Sequence, residues 1–299
     1  MTNSSLLSSH PKKLGYCVVV MELARRPIAI IEVWDHNLEE EFSRIRRAVM
    51  SHPCISIDTE FPGTVVPDLK KRKFYELEPE EAYSLMKANV DASKLIQLGL
   101  TLSDPYGNLP GFGTEMGHVW QFNFREFDVD KDVQNISSIE LLKRHGINFL
   151  WNKMYGVRSQ DFARLFRGCF GPRCTWVTFH GGYDFGYLVK ALTNSDLPGD
   201  LGTFKGLLCR FFGNSMYDVK AIMERFRLRG GLEALATEFK LARVAGTPHQ
   251  AGSDSLLTMQ LFIRMIQWCG HRNNGTALRP CMPYGLNLEV NKQVQEAGF

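Results

Sequence analysis

The stretch "CISIDTEFPGT", residues 54–64, alternates its side chains and then ends in two acids one residue apart, followed by Phe-Pro-Gly. In an extended strand alternate side chains share a face, so Asp58 and Glu60 point one way while Ile55 and Ile57 point the other. Two carboxylates on one face repel each other unless a cation sits between them. Oxygen ligands of this kind suit hard divalent ions, Mg²⁺ or Mn²⁺, better than zinc. D-x-E alone arises by chance in a chain of this length and usually marks a solvated strand end. Its position before a forced turn gives it more weight.

Outward from this strand, "IQLGLTLSD" (96–104) and "HVWQFNF" (118–124) read as further strands, and the three together suggest an antiparallel set. Helical patterns follow around 138–167, then a strand "TWVTFH" (175–180), a helix "YDFGYLVKALT", helical text at 201–212 and a short strand or loop at "SMYDV". Strand and helix alternate in this later half, which favours parallel additions to the same sheet. The expected class is α/β, a central mixed sheet flanked by helices. Before the first strand, Leu38, Phe42, Ile45 and Val49 fall at helical spacing with Asn37 as N-cap, and the last long helix opens at Ser253. Residues 1–28 are expected to be an N-terminal extension, partly disordered, 29–273 the folded domain and 274–299 an irregular C-terminal tail.

With 299 residues and 44% hydrophobic content the chain buries a sizeable core, and its net charge of +3 does not by itself mark a nucleic-acid binder. The seven cysteines contain no C-x-x-C pair and are odd in number, which argues against a disulfide framework and a zinc site and for a reducing compartment. The apolar run "YCVVVM" is too short for a signal or membrane segment, so no membrane association is expected.

Two more acids stand at comparable edges. Asp184 lies in the first turn of the helix in "GGYDFGYLVK", and Asp254 opens the last helix in "HQAGSDSLLT". Each taken singly is a helix-capping residue, and His249, on the loop five residues before Asp254, is singly a surface histidine. Taken together, four acids at element termini and one imidazole make a set suited to metal-assisted phosphoryl transfer. Two ions activate a water and stabilise the leaving oxygen, and the histidine takes the proton.

"DTEFPG", "IQLGLT", "WQFNF", "FHGGYDFGYLVK", "YDVK", "GGLEALA" and "HQAGSDSLLT", in this order, resemble the Caf/Pop-type deadenylases, the nuclease subunit of the Ccr–Not complex. The resemblance covers roughly residues 32–272. It implies a ribonuclease H-like fold of the DEDD exonuclease superfamily, in the subgroup with a His five residues before the final Asp. It implies that Asp58, Glu60, Asp184 and Asp254 bind two divalent ions, Mg²⁺ or Mn²⁺, and that His249 is the general base. Asp58 would bridge both ions, with Glu60 and Asp254 completing one and Asp184 the other. Asp218 of "YDVK" matches the family outside this quartet, and a structural or supporting role is expected for it. Gly181 departs from the pattern, since many relatives carry Ser there. The implied activity is 3'-to-5' shortening of mRNA poly(A) tails with release of 5'-AMP. The implied partners are poly(A) RNA, a Not scaffold subunit and a second, Ccr-type deadenylase, in cytoplasm and nucleus.

Single-stranded nucleic acid is held by stacking on aromatics and by backbone contacts. Phe61 and Phe185 stand beside ligand acids and are candidates to meet terminal bases, although core packing is the plainer role of either. His180 is a candidate phosphate or sugar contact. The basic runs Arg44, Arg46, Arg47 and Lys70, Lys71, Arg72, Lys73 could guide RNA or simply be solvated faces. The rival functions are a general exonuclease of the same superfamily acting on other RNA or on DNA, and an adaptor whose activity is dispensable.

Overall fold

The computed structural model describes residues 26–72, 76–272 and 278–286. Most of the expected N-terminal extension, Lys73 of the second basic run and the end of the tail lie outside the described residues. The chain runs β1 (Ile28–Val33), α1 (Leu38–Ala48), β2 (Cys54–Glu60), α2 (Pro79–Ala92), β3 (Gln97–Ser103) and β4 (Gly117–Asn123). It continues through α3 (Ile136–Arg144), α4 (Phe149–Tyr155), α5 (Ser159–Phe166), β5 (Thr175–Thr178), α6 (Gly182–Thr193) and α7 (Leu201–Phe212). It closes with β6 (Met216–Asp218), α8 (Val219–Arg225), α9 (Leu232–Glu238) and α10 (Ala251–Arg272).

The strands form one sheet in the order β1-β4-β3-β2-β5-β6. β2, β3 and β4 pair antiparallel, and β5 and β6 add in parallel beyond β2, as the sequence pattern suggests. The sequence pattern does not mark β1 as a strand. "IAIIEV" pairs parallel to β4 as the opposite edge, and it starts at Ile28, one residue before the expected domain start. α2 also comes from text that reads only as Lys/Glu-rich. Pro79 opens it at a position where the missing N–H costs nothing, and Ala82, Tyr83, Met86 and Val90 form its buried stripe.

Strand alternation gives the sheet two unlike faces. Ile55, Ile57, Leu98, Leu100, Leu102, Trp120 and Phe122 pack with α1, α2, α5 and α6 in the main core. Each such fully buried side chain contributes about 1.5–3 kcal/mol. The other face carries Ser56, Gly99 and Thr101, small or hydroxylated, so α10 lies close against it. Ser56 Oγ donates to Ser255 O at 2.6 Å, and Thr101 Oγ1 lies 2.9 Å from Ser255 Oγ. Gly99 pairs across from Asp58, and a Cβ there would fall 1.8 Å from the carbonyl oxygen of Ala251. The glycine is therefore what lets the first turn of α10 reach Asp58.

Ser253 is not the N-cap of α10, because the helix has already begun at Ala251 and Asp254 N–H donates to Gln250 O at 3.0 Å. Asn37 does stand at the start of α1, but its side chain does not cap the helix. Its Oδ1 accepts from Trp34 N–H at 2.8 Å and its Nδ2 donates to Glu32 O at 3.0 Å, tying β1 to α1. Residues 278–286 have irregular backbone, as expected of a tail, yet they pack: Cys281 N–H donates to Met216 O at 2.8 Å, covering the β6 edge, and Leu286 is fully buried. The six described cysteines are free, and among the described residues no helix is long and apolar enough to cross a membrane.

Candidate active site

The C-terminal end of β2 is where both faces of the sheet deliver acids. Asp58 and Glu60 project on the α10 face and line a cleft of about 490 Å³ together with His249 and Asp254. Asp184 arrives from the opposite layer, in the first turn of α6. It is held there by Thr59, whose side chain points away from Asp58 and whose Oγ1 donates to Asp184 Oδ1 at 2.5 Å. Strand alternation thus does two jobs: Asp58 and Glu60 face the cleft, and the threonine between them fixes a third acid.

Asp254 is 8% exposed, and both of its oxygens are engaged. Oδ2 accepts the His249 backbone N–H at 2.8 Å, and Oδ1 accepts from Arg243 Nη2 at 2.6 Å. His249 sits in the left-handed region at φ +59°, as does His180 at φ +63°, a conformation that costs a non-glycine residue of order 1–3 kcal/mol and concentrates at functional sites. One ligand atom each from Glu60, His249 and Asp254 lie within 4.8 Å of one another.

The electrostatics are those of crowded, buried acids whose repulsion Arg243 offsets only in part. Burial first, then Asp184, Asp254 and Glu60, push the Asp58 carboxyl well above the usual range. Burial and then Asp254 and Asp184 push Glu60 up to about 8, and burial pushes Asp184 up to about 7 against the opposing Thr59 hydrogen bond. Asp254 is raised chiefly by burial, partly offset by Arg243. Such a cluster holds protons or a cation. Its donors are carboxylate oxygens with one imidazole, which fits hard divalent ions and not a thiolate-seeking metal.

The remaining candidates separate. Phe185 is not a substrate contact: it is 1% exposed and packs on Phe212 at 5.0 Å, because one helical step from Asp184 turns its side chain about 100° into the core. Phe61 is partly buried and stacks on Tyr183 at 5.2 Å and Tyr187 at 4.9 Å, which gives it a fixed ring beside Glu60. His180 is exposed beyond β5 with its ring against Tyr284. Asp218 is 1% exposed, outside the cleft, and its carboxylate accepts the backbone N–H groups of His180, Gly181, Lys220, Ala221 and Tyr284 at 2.8–3.3 Å. It therefore fastens the turn that launches α6 and Asp184. At Gly181 a Cβ would fall 2.3 Å from Thr178 Cβ, so serine there needs a shifted turn.

Two site neighbours escape sequence reading. Arg243 is one. The other is His145 at the end of α3, whose ring meets that of His249 edge-on at 4.9 Å while its Nδ1 lies 2.9 Å from Leu141 O. Neither belongs to a quoted motif. Only the folded loop brings them to the acids.

A family model described as CAF1 family ribonuclease matches residues 33–158. The chain is 44% identical over 243 residues to "Probable CCR4-associated factor 1 homolog 7" of Arabidopsis thaliana, covering 80% of this chain and 86% of that protein. It is 39% identical over 240 residues to "Poly(A) ribonuclease pop2" of Schizosaccharomyces pombe, covering 79% and 69%. Among solved structures, S. pombe Pop2p in its Mg²⁺ and Mn²⁺ bound form superposes with a TM-score of 0.74 at 38% identity, over 83% of this chain and 94% of that one. Yeast CAF1 co-crystallized with the NOT1 MIF4G domain gives 0.67 at 33% identity, over 83% and 93%. The expected ribonuclease H-like arrangement of sheet and helices stands.

Proposed function

The chain belongs to the CAF1 ribonuclease family, and on that footing we propose that it is a metal-dependent 3'-to-5' exoribonuclease that shortens the poly(A) tails of mRNA and releases 5'-AMP. The observation that carries this reading is the convergence of Asp58, Glu60 and Asp254 on one cleft, with Asp184 locked beside them and His249 at the rim. The folded body around this cleft is the proposed catalytic domain.

Asp58, Glu60, Asp184 and Asp254 would hold the two divalent ions, Asp58 sharing the cleft with Glu60 and Asp254 and Asp184 fixed beside it by Thr59. When bound, such ions make a water nucleophilic near neutral pH and neutralise charge on the phosphate and leaving oxygen. His249 accepts the proton of the attacking water; its exposed ring stands within reach of the same space as Glu60 and Asp254. Thr59 keeps Asp184 from swinging. Phe61, stiffened by Tyr183 and Tyr187, is the proposed contact to the terminal base, and His180 the proposed contact to the sugar or phosphate. By analogy with the NOT1-bound relative, a Not scaffold subunit is the proposed partner. A Ccr-type deadenylase beside it, and action in cytoplasm and nucleus, are proposed from the family resemblance alone.

The test compares oligo(A), oligo(C) and DNA as substrates at one salt concentration with Mg²⁺. Oligo(A) is expected to be degraded at least about tenfold faster, a discrimination of about 1.4 kcal/mol. Equal rates on all three would support the general exonuclease instead. Inertness toward all three, with metal uptake intact, would support the adaptor.

A further inference from the structure

Arg243 stands on the loop that runs from α9 to His249, behind Asp254. Its guanidinium reaches three side chains: Nη2 donates to Asp254 Oδ1 at 2.6 Å, Nη1 to Ser253 Oγ at 2.5 Å and Nε to Glu233 Oε1 at 3.0 Å. The Arg243 and Asp254 side chains are each 11% exposed, whereas Glu233 is 55% exposed and lines the cleft from the α9 side. Ser253 Oγ also donates to Ala245 O at 2.6 Å, so the loop is tied twice to the first turn of α10.

An ionised carboxylate has about four lone-pair positions. At Asp254 one on Oδ1 is used by Arg243 and one on Oδ2 by the His249 backbone, which leaves a free position on each oxygen for a ligand in the space shared with Glu60 and His249. Two accounts of the arginine make opposite predictions for a cation bound there. A bare positive charge repels it, so removing the charge would tighten binding. A rigid fork that holds the carboxylate's orientation assists it, so removing the fork would loosen binding. The three acceptors fanned around one planar group match the fork, which an ammonium on a flexible stem does not reproduce.

We infer that Arg243 is a positioning residue that holds Asp254 in its ligating orientation and couples it to the His249 loop, with Glu233 as the anchor on the far wall. This rests on the reading of Asp254 as a metal ligand. In metalloproteins, loss of a group that orients a ligand costs about 10–100-fold in metal affinity.

Calorimetric titration of the purified protein with Mn²⁺ tests it, with near-ultraviolet circular dichroism as the check on folding. Both Arg243→Ala and Arg243→Lys are expected to weaken Mn²⁺ binding at least about tenfold. Glu233→Gln is expected to weaken it less, in the same direction. At saturating Mn²⁺ the oligo(A) rate of Arg243→Lys is expected to recover to near wild type, the defect showing in the metal concentration needed. If Arg243→Ala fails to fold, Arg243→Lys, which keeps the charge and most of the bulk, decides. Mn²⁺ binding by Arg243→Lys equal to wild type, or by folded Arg243→Ala equal or tighter, would overturn the inference. Failure of the ligand reading itself looks different: the wild type takes up no Mn²⁺, or Asp254→Asn binds it normally.

Discussion

Asp58→Asn is expected to lower oligo(A) degradation at least about a thousandfold while raising the thermal midpoint of the metal-free protein by about 2–4 °C. The first effect follows from loss of a proposed ligand that shares the cleft with Glu60 and Asp254, which removes several kcal/mol of charge stabilisation in the transition state at 1.36 kcal/mol per tenfold. The second follows from the same crowding. Without an ion, Asp58 stands in the field of Asp184, Asp254 and Glu60 in a buried setting, and a neutral amide relieves that repulsion. About 1 kcal/mol of relief corresponds to this shift for a domain of a few hundred residues. Added Mg²⁺ or Mn²⁺ should raise the midpoint of the wild type and leave that of Asp58→Asn nearly unchanged. A variant that is active, or one that gains stability from metal as the wild type does, would remove Asp58 from the site.

The largest loss of stability is expected at a residue outside the cleft. Asp218→Ala leaves five backbone N–H groups without their acceptor, two of them in the turn before α6, two at the start of α8 and one in the C-terminal segment. Breaking a buried charged hub of this kind costs about 3–5 kcal/mol. Thermal melting should show a midpoint roughly 10 °C lower. Asp218→Asn keeps the shape and one acceptor oxygen and should lose roughly half as much. Because the same turn sets Asp184, activity should fall even in the fraction that remains folded. An alanine variant melting with the wild type would show that the N–H groups find other partners at no cost.

These two residues illustrate what the chain makes legible. Asp58 and Glu60 are visible because a strand period of two puts them on one face, and Ser56, Gly99 and Thr101 sharing that face explain why α10 can approach. The antiparallel β2-β3-β4 set is visible for the same reason. β1 is not, since "IAIIEV" lacks alternation and its partner β4 lies far along the chain. α2 is hidden because its apolar stripe is diluted by charged text. Phe185 misleads because adjacency in sequence to Asp184 is not adjacency in space on a helix. Arg243, His145 and the hub at Asp218 depend on loops and segments meeting across the fold, information that no local period contains.

In the proposed reaction this carboxylate cluster directs a metal-activated water onto the terminal phosphodiester of poly(A). The most direct measurement is mass spectrometry of the products formed from oligo(A) in oxygen-18 water, with and without a chelator of divalent ions. The expected product is 5'-AMP carrying one oxygen-18 on its phosphate, with no product once the ions are chelated. Cyclic or 3'-phosphate products, unlabelled 5'-AMP, or cleavage that persists in the chelator would contradict it.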